Sequence, residues 1–325
     1  MSKKHPRIDI SKVKTFPISG LQRKVQADFL GKPLGDNLSF REFLDSLPDI
    51  LKAKDLREFA DLWRNAAKSG KQCLLLMGAH PIKVGLSPII IDLMEKGFIT
   101  AVAGNGAVAI HDCEMALFGR TSEEVIDGLR DGSFGMSRET GEFLNEAAKF
   151  AQKNGLGYGE ALGVKLSEVK PDFADISLLL AARRKNIPFT VHIAIGSDII
   201  HQHPNFDGGA AGAASYEDFK ILAEIISRLS GGIVINLGSA VVLPEVFLKA
   251  LTVARNLGND VKDFAAANFD MIQHYRANTN VVQRPTITGG GKAFSFTGHH
   301  EIMLPLVAGM VKNGWQRVAG GKKQI

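Results

Sequence analysis

A chain of 325 residues, 45% of them hydrophobic, has the material for one large domain or two ordinary ones, and is too rich in core residues for a linker or a repeat array. Its two cysteines, Cys73 and Cys113, provide neither a disulfide framework nor a cysteine-rich metal site. The net charge of +5 is placed at the ends: residues 1–24 hold seven Lys or Arg against the single Asp9, and residues 312–325 hold four and no acid. The body between them is mildly acidic, so solvated basic ends explain the charge and no nucleic-acid partner is expected.

Uninterrupted apolar runs stay short of the ~18 residues of a membrane span, and the opening MSKKHPRIDISK lacks the apolar stretch of a secretory signal. A cytoplasmic protein with no membrane partner is the expectation. Residues 1–38, with Pro6, Pro17 and Pro33, read as an extended N-terminal arm. From 39 to 69 the pattern turns helical: Ser39 is placed to cap, Glu42 follows three residues later, and Leu56, Phe59, Leu62 and Trp63 share a helical face interrupted upstream by Pro48.

Beyond residue 70 the pattern alternates. QCLLLMG, FITAVAG, PFTVHIAIG, GIVINLG and DFAAANF are short, continuously apolar strand candidates, separated by helix-like segments such as YEDFKILAEIISRLSG and PEVFLKALTVARNLG. Such alternation predicts an α/β fold with a mostly parallel, doubly wound, Rossmann-like sheet covered on both faces. A helical stretch at about 120–185 interrupts it. The domain plan is the arm at 1–38, one α/β domain over 39–315, and a basic tail at 316–325.

Each strand candidate ends in small or polar residues: Gly78-Ala79-His80, Asn105-Gly106, Gly196-Ser197-Asp198 and Gly238-Ser239. In an open α/β sheet this edge is where ligands bind. Gly104, Gly106 and Ala109 satisfy a G-x-G-x-x-A spacing, but the acid expected after a second strand falls instead in the helical TSEEVIDGLR. What remains is a glycine turn able to offer N–H groups to an anion, followed by His111 and Asp112. Two further segments carry chemistry. IGSDIIHQHPNFDGGAAGAA holds His201, His203 and Asp207, suited to acid/base roles or to a zinc ion, and TITGGGKAFSFTGHHEI holds three glycines, Lys292 and His300. Lys83 can reach a phosphate or cap a turn; Glu245 can bind a ribose hydroxyl or sit in a helix N-terminus.

The order of these motifs resembles the deoxyhypusine synthase family. LLLMGAHPIKVGLSPIIIDLMEKGFITAVAGNGAVAIHD is similar to that family's first cofactor segment, FTVHIAIGSD to its P-x-x-D-G-S turn, and GIVINLGSAVVLPEVF to its strand ending in glycines before a helix. The resemblance spans about residues 70–315. It implies an NAD-binding fold, with Gly78, Ala79, His80, Asn105, Gly106, Gly196, Ser197, Asp198, Gly238 and Ser239 around the dinucleotide and Asp112 near the nicotinamide or the amine. It further implies a small-molecule substrate and a homo-oligomer, a tetramer as in that family. The family oxidises spermidine with NAD and carries the aminobutyl group on a lysine in a W-G-K segment; here FTGHHEI puts His300 there, and Lys292 lies eight residues earlier. The family's paired histidines are Leu243-Pro244-Glu245, and its acidic loop is NFDMIQHYRANTNVVQRP, whose Arg276 and Arg284 suit a carboxylate or phosphate better than a polyamine.

The expected activity is therefore NAD-dependent oxidation of, or group transfer from, a small amine or related substrate. His111 or His201 is the expected base, Asp112 its orienting acid or a substrate contact, and Lys292 an amine nucleophile or phosphate contact. A metal-dependent hydrolase built on His201, His203 and Asp207, and a non-catalytic nucleotide-binding protein, are the alternatives.

Overall fold

The computed structural model describes residues 5–314 and divides after Lys54 into two compact units. In the first, three short 3-10 turns precede helix α1 (Phe40–Ser46). Ser39 caps α1 with a full capping box: its side chain accepts from Glu42 N, and Glu42 Oε2 accepts from Ser39 N at 2.8 Å.

The second unit holds nearly all of α2 (Leu51–Lys68), then β1 (Cys73–Met77), α3 (His80–Lys83), α4 (Ser87–Glu95) and β2 (Ala101–Asn105). Helices α5 (Gly106–Phe118), α6 (Val125–Asp131), α7 (Arg138–Asn154), α8 (Tyr158–Val169) and α9 (Leu178–Lys185) fill the interval before β3 (Phe189–His192). There follow α10 (Gly208–Ser227), β4 (Ile233–Leu237), α11 (Val242–Asn256), β5 (Ala265–Asp270), the single turns α12 (Tyr275–Ala277) and α13 (Arg284–Ile287), β6 (Lys292–Thr297) and α14 (His300–Asn313).

The six strands form one all-parallel sheet in the order β3-β2-β1-β4-β5-β6. Leu75 pairs with Val102 on one side and Ile235 on the other. Because the chain leaves β1 in one direction and returns at β4 in the other, the C-terminal ends of these two neighbours flank the topological switch point.

Strands β1 to β5 are mostly apolar and almost wholly buried, as a parallel sheet between helices requires, with polar residues such as Asn105, His192 and Asp270 at their C-terminal ends. On one face Leu74, Leu76, Val234 and Ala266 meet Leu222 and Ile226 of α10 and Phe247 and Leu251 of α11. On the other, Phe59 of α2 packs against Phe269, Phe294 and Phe296 with ring centroids 5.4–5.9 Å apart. Trp63, one turn on, donates its indole N–H to Phe98 O at 2.6 Å. Burial of a side chain of this size is worth about 1.5–3 kcal/mol. None of the described helices is long and apolar enough to cross a membrane.

Five strands coincide with the five apolar segments of the sequence. β6 was not among them: KAFSFT, which follows the three glycines, is the edge strand of the sheet.

Candidate functional site

The loops after β1 and β4 meet at the switch point with no side chain between them. A Cβ on Gly78 would stand 2.4 Å from Gly238 O, so only glycine permits this approach. Gly238 itself has φ +69°, and a Cβ there would lie 2.7 Å from His300 Cε1. The loop is braced from below: Asn236 Nδ2 donates to Ser239 O at 2.9 Å and to Asn268 Oδ1 at 2.7 Å, and Asn268 Nδ2 donates to Gln273 Oε1 at 2.8 Å. Asn236 was not singled out in the sequence, where its signal is a lone polar residue inside an apolar strand.

His300 stands beside this loop, 1% exposed, with its ring 5.4 Å from that of His80. Its Nε2 faces Phe269 O at 3.1 Å and must donate to it, which leaves Nδ1 as an acceptor. That Nδ1 is buried without a hydrogen-bond partner. Burial holds the imidazole below its ordinary pKa.

A second group lies over the N-terminus of α5. Asn105 caps the helix, accepting from Val108 N at 3.1 Å. The Asp198 carboxylate rests on Gly106, where a Cβ would stand 2.0 Å from Oδ2. Gly196, at φ +94°, turns the chain so that its N–H and that of Asp198 donate to His201 Nδ1 at 3.1 and 3.2 Å. Ser197 closes the same turn by donating from Oγ to Ala194 O at 2.7 Å. With Nδ1 accepting twice, neutral His201 carries its proton on Nε2, 3.8 Å from Asp198 Oδ2. Both atoms are buried and neither has a hydrogen-bond partner. Burial pushes the Asp198 carboxyl up to about 6 and the His201 imidazole down.

His111 and Asp112 diverge, because neighbours on a helix face different ways. Asp112 is fully buried and receives Ser177 Oγ and Leu178 N, both at 2.7 Å, and Leu179 N at 3.1 Å. It caps α9 from across the core. Instead of an expected contact beside a substrate, the described structure gives this carboxylate three donors of the protein. Burial pushes its pKa up to about 6 against those three donors. His111 is 17% exposed and lies against Thr121. Burial, then the Lys83 ammonium on α3, push its pKa down to about 4.

Lys292 lies away from this edge. As the first residue of β6 it lies at the sheet edge opposite the switch point, where its ammonium pairs with Glu58 at 2.6 Å. The three glycines before it serve the same remote edge: Asp263 N donates to Gly289 O at 2.7 Å, and a Cβ on Gly291 would stand 2.2 Å from Phe264 O. This placement sets Lys292 and His300 at opposite ends of β6.

The histidine-rich loop does not converge on a metal. His203 shares a hydrogen bond with Gly135 O at 2.7 Å, and Asp207 caps α10 through Ala210 N at 2.9 Å. Among the described residues no three His, Cys, Asp or Glu side chains are grouped to hold an ion. Glu245 lies in the first turn of α11 and is tied to Lys249, Asn280 and Arg276. The basic tail at 316–325 lies outside the described residues.

No family model matches this chain, and none of the curated proteins does. Solved structures do. The ternary complex of AgrE with ornithine and NAD+ is 16% identical at TM-score 0.51, over 80% of this chain and 33% of that one. Unliganded AgrE matches at TM-score 0.52 with 16% identity, over 80% of this chain and 32% of that one. An Entamoeba histolytica protein assigned as a deoxyhypusine synthase is 11% identical at TM-score 0.50, over 88% of this chain and 98% of that one. The chain thus spans about a third of AgrE, and what it shares with all of these is the Rossmann-like α/β fold.

Proposed function

We propose that this chain is an NAD-dependent enzyme that binds the dinucleotide across the switch point and oxidises, or transfers a group from, a small amine or related substrate. The observation that carries the reading is the meeting of Gly78 with Gly238, a side-chain-free crevice at the switch point, bordered by a buried acceptor without a partner at His300 Nδ1. Buried polar groups are ordinarily satisfied. Here Asp198 Oδ2, His201 Nε2 and His300 Nδ1 all lie at this sheet edge and lack partners in the protein alone. A ligand rich in hydroxyl and amide groups would complete them. AgrE, about a third of which shares this fold, was solved with ornithine and NAD+.

The residues fit a dinucleotide. The backbones of Gly78, Ala79 and His80, with Gly238 and Ser239, would hold it at the crevice, while Asn105, Gly106, Gly196, Ser197 and Asp198 would border it at α5. Bound NAD supplies a hydride acceptor. The chain's own part is proton handling and orientation: His201 offers an N–H, His300 an acceptor nitrogen, and His111 a neutral imidazole, near Lys83, able to take a proton from an amine or alcohol. Asp112 acts only through the packing of α9.

The same edge exposes Ile195, Ile272 and Tyr275 at 62%, 65% and 71%. A second copy of the chain would cover such surface, which supports a homo-oligomer. The metal-hydrolase alternative is disfavoured by the engaged side chains of His203 and Asp207.

Thermal unfolding with and without NAD tests the reading. A ligand at 100 times its Kd adds about 2.7 kcal/mol to a native state that alone binds it. A raised midpoint with NAD or NADH is expected; an unchanged midpoint at saturating dinucleotide overturns the proposal. A raised midpoint with no NADH formed from any amine or alcohol would favour the non-catalytic nucleotide-binding alternative.

A further inference from the structure

His111 is the end of a hydrogen-bonded row that joins three parts of the chain. Its Nδ1 lies 2.5 Å from Thr121 Oγ1, in the loop after α5. Thr121 Oγ1 also hydrogen-bonds Glu114 Oε2, one turn beyond His111 on α5. The other oxygen of that carboxylate, Oε1, accepts from Thr140 Oγ1 of α7 at 2.9 Å. The row is largely withdrawn from water, with the Glu114 side chain 10% exposed.

The proton count along the row leaves one arrangement. A carboxylate between two hydroxyls accepts from both, and a hydroxyl has a single proton. Thr121 therefore donates to Glu114 and can only accept from the imidazole. His111 must carry its neutral-state proton on Nδ1, and its lone pair is on Nε2. Among the described residues nothing hydrogen-bonds Nε2. His201 has the reverse arrangement, with Nδ1 occupied by two backbone N–H groups and the proton on Nε2. Of these two, only His111 is set to receive a proton at the outer nitrogen.

We propose that Glu114, acting through Thr121, is a positioning residue that holds His111 as the Nδ1–H tautomer and so makes Nε2 the basic atom. The inference rests on the proposed role of His111 as the base. In the step it serves, an N–H or O–H bond of the substrate breaks, its electron pair stays with the substrate, and an H–Nε2 bond forms. The Nδ1–H bond is kept throughout. The imidazolium charge then faces Glu114, whose Oε2 is 3.9 Å from Nδ1.

The charged surroundings are uneven. The Lys83 ammonium of α3 opposes the imidazolium through its charge, whereas Asp112 is turned into the α9 cap. Glu114 and Thr121 border a cavity of about 460 Å³ that also meets Arg120, Glu123, Ser137 and Glu139. Its open space lets substitutions at Thr121 and Glu114 be absorbed without repacking a closed core.

The test is the tautomer itself, read from nitrogen–proton correlation spectra of the full chain labelled with 15N-histidine at about pH 7, where neutral imidazole is the relevant form. His111→Gln identifies the resonance. In the unsubstituted chain Nε2 is expected to give the unprotonated-nitrogen signal and Nδ1 the protonated one. Thr121→Val removes the hydroxyl and is expected to move the unprotonated signal to Nδ1 or average the two; Thr121→Ser is expected to restore the original pattern. Should Thr121→Val fail to fold, Glu114→Leu carries the test: with no acceptor at 114 the Thr121 hydroxyl proton is free to turn to Nδ1, so the fixed pattern is expected to be lost. An Nε2–H tautomer in the unsubstituted chain, or an unchanged pattern in Thr121→Val or Glu114→Leu, overturns the proposal. The NAD-induced midpoint shift of the same sample separates the two readings, because its absence strikes the dinucleotide proposal while leaving the tautomer assignment standing.

Discussion

The Asp198 carboxylate lies directly on Gly106, the first residue of α5, so that a Cβ there would stand 2.0 Å from Oδ2 and 2.6 Å from Cγ. The contact joins the loop after β3 to the helix after β2, and the helix N-terminus favours the negative charge that burial opposes. Gly106→Ala should push the loop off the helix. The expected result is a loss of about 1–3 kcal/mol of stability, the range for overpacking a tight site, together with a smaller NAD-induced midpoint shift. Calorimetry with and without NAD reads both, and an alanine variant equal to the parent in both would mean that the loop is not held where the contact implies.

Asp198 also gives a pH dependence of known sign. Its folded pKa of about 6 exceeds the ordinary 3.8, so between those values the native state binds more protons than the unfolded chain. Stability from this group is full below about pH 4 and falls as pH rises to about 6. Roughly two pKa units at about 1.4 kcal/mol each make the loss on the order of 2–3 kcal/mol. Asp198→Asn has nearly the same shape and does not titrate. Urea unfolding at a series of pH values is expected to show the variant gaining on the parent through this window and holding the advantage above it. Parallel stability curves would refute the assignment. His201, whose lowered pKa removes stability as pH falls through its own range, acts in both proteins and drops out of the difference.

Asp112 and Lys292 were both expected at the reaction centre, and their substitutions should separate burial from chemistry. Asp112→Ala removes the shared acceptor of three hydrogen bonds and leaves two buried backbone N–H groups unpaired. A loss of about 3 kcal/mol or more is expected. Lys292→Ala breaks an exposed pair with Glu58, the two side chains being 57% and 41% exposed, so stability should stay within about 0.5 kcal/mol and NAD binding should not change. Chemical unfolding of both variants is the check. A large loss of NAD affinity in Lys292→Ala, with stability intact, would return that lysine to the site.

The sequence revealed the sheet wherever burial on both faces left an unbroken apolar run, as in CLLLM and IVINL. It concealed β6 because an edge strand needs only alternate burial: in KAFSFT just Phe294 and Phe296 are buried, and the preceding glycines imitate a ligand loop. The glycine turns at strand ends were legible because close backbone approach demands glycine whatever the neighbours. Partners distant in the chain were not legible. Asp112 is separated from Leu178 by 66 positions, and His111 acquires Thr121 only after α5 has ended. Adjacent residues on a helix point about 100° apart, so the pair His111-Asp112 had to divide between two surroundings, and sequence alone does not say which.

The crevice itself offers the most direct contrast between two glycines. At Gly78 a Cβ would meet Gly238 O at 2.4 Å, and that oxygen is backbone, so neither partner can rotate away. Gly78→Ala should part the β1 and β4 loops, abolish the NAD-induced midpoint shift and lower stability by about 1–3 kcal/mol. Gly212, within α10, has nothing within 4 Å of its ideal Cβ. Alanine there removes the entropic cost of glycine in a helix, and Gly212→Ala is expected to gain about 0.5–1 kcal/mol with NAD binding unchanged. The same calorimetric titration serves both variants. If Gly78→Ala binds NAD as the parent does while its stability falls, the loops are merely packed there, and the ligand crevice must be sought elsewhere on the sheet edge.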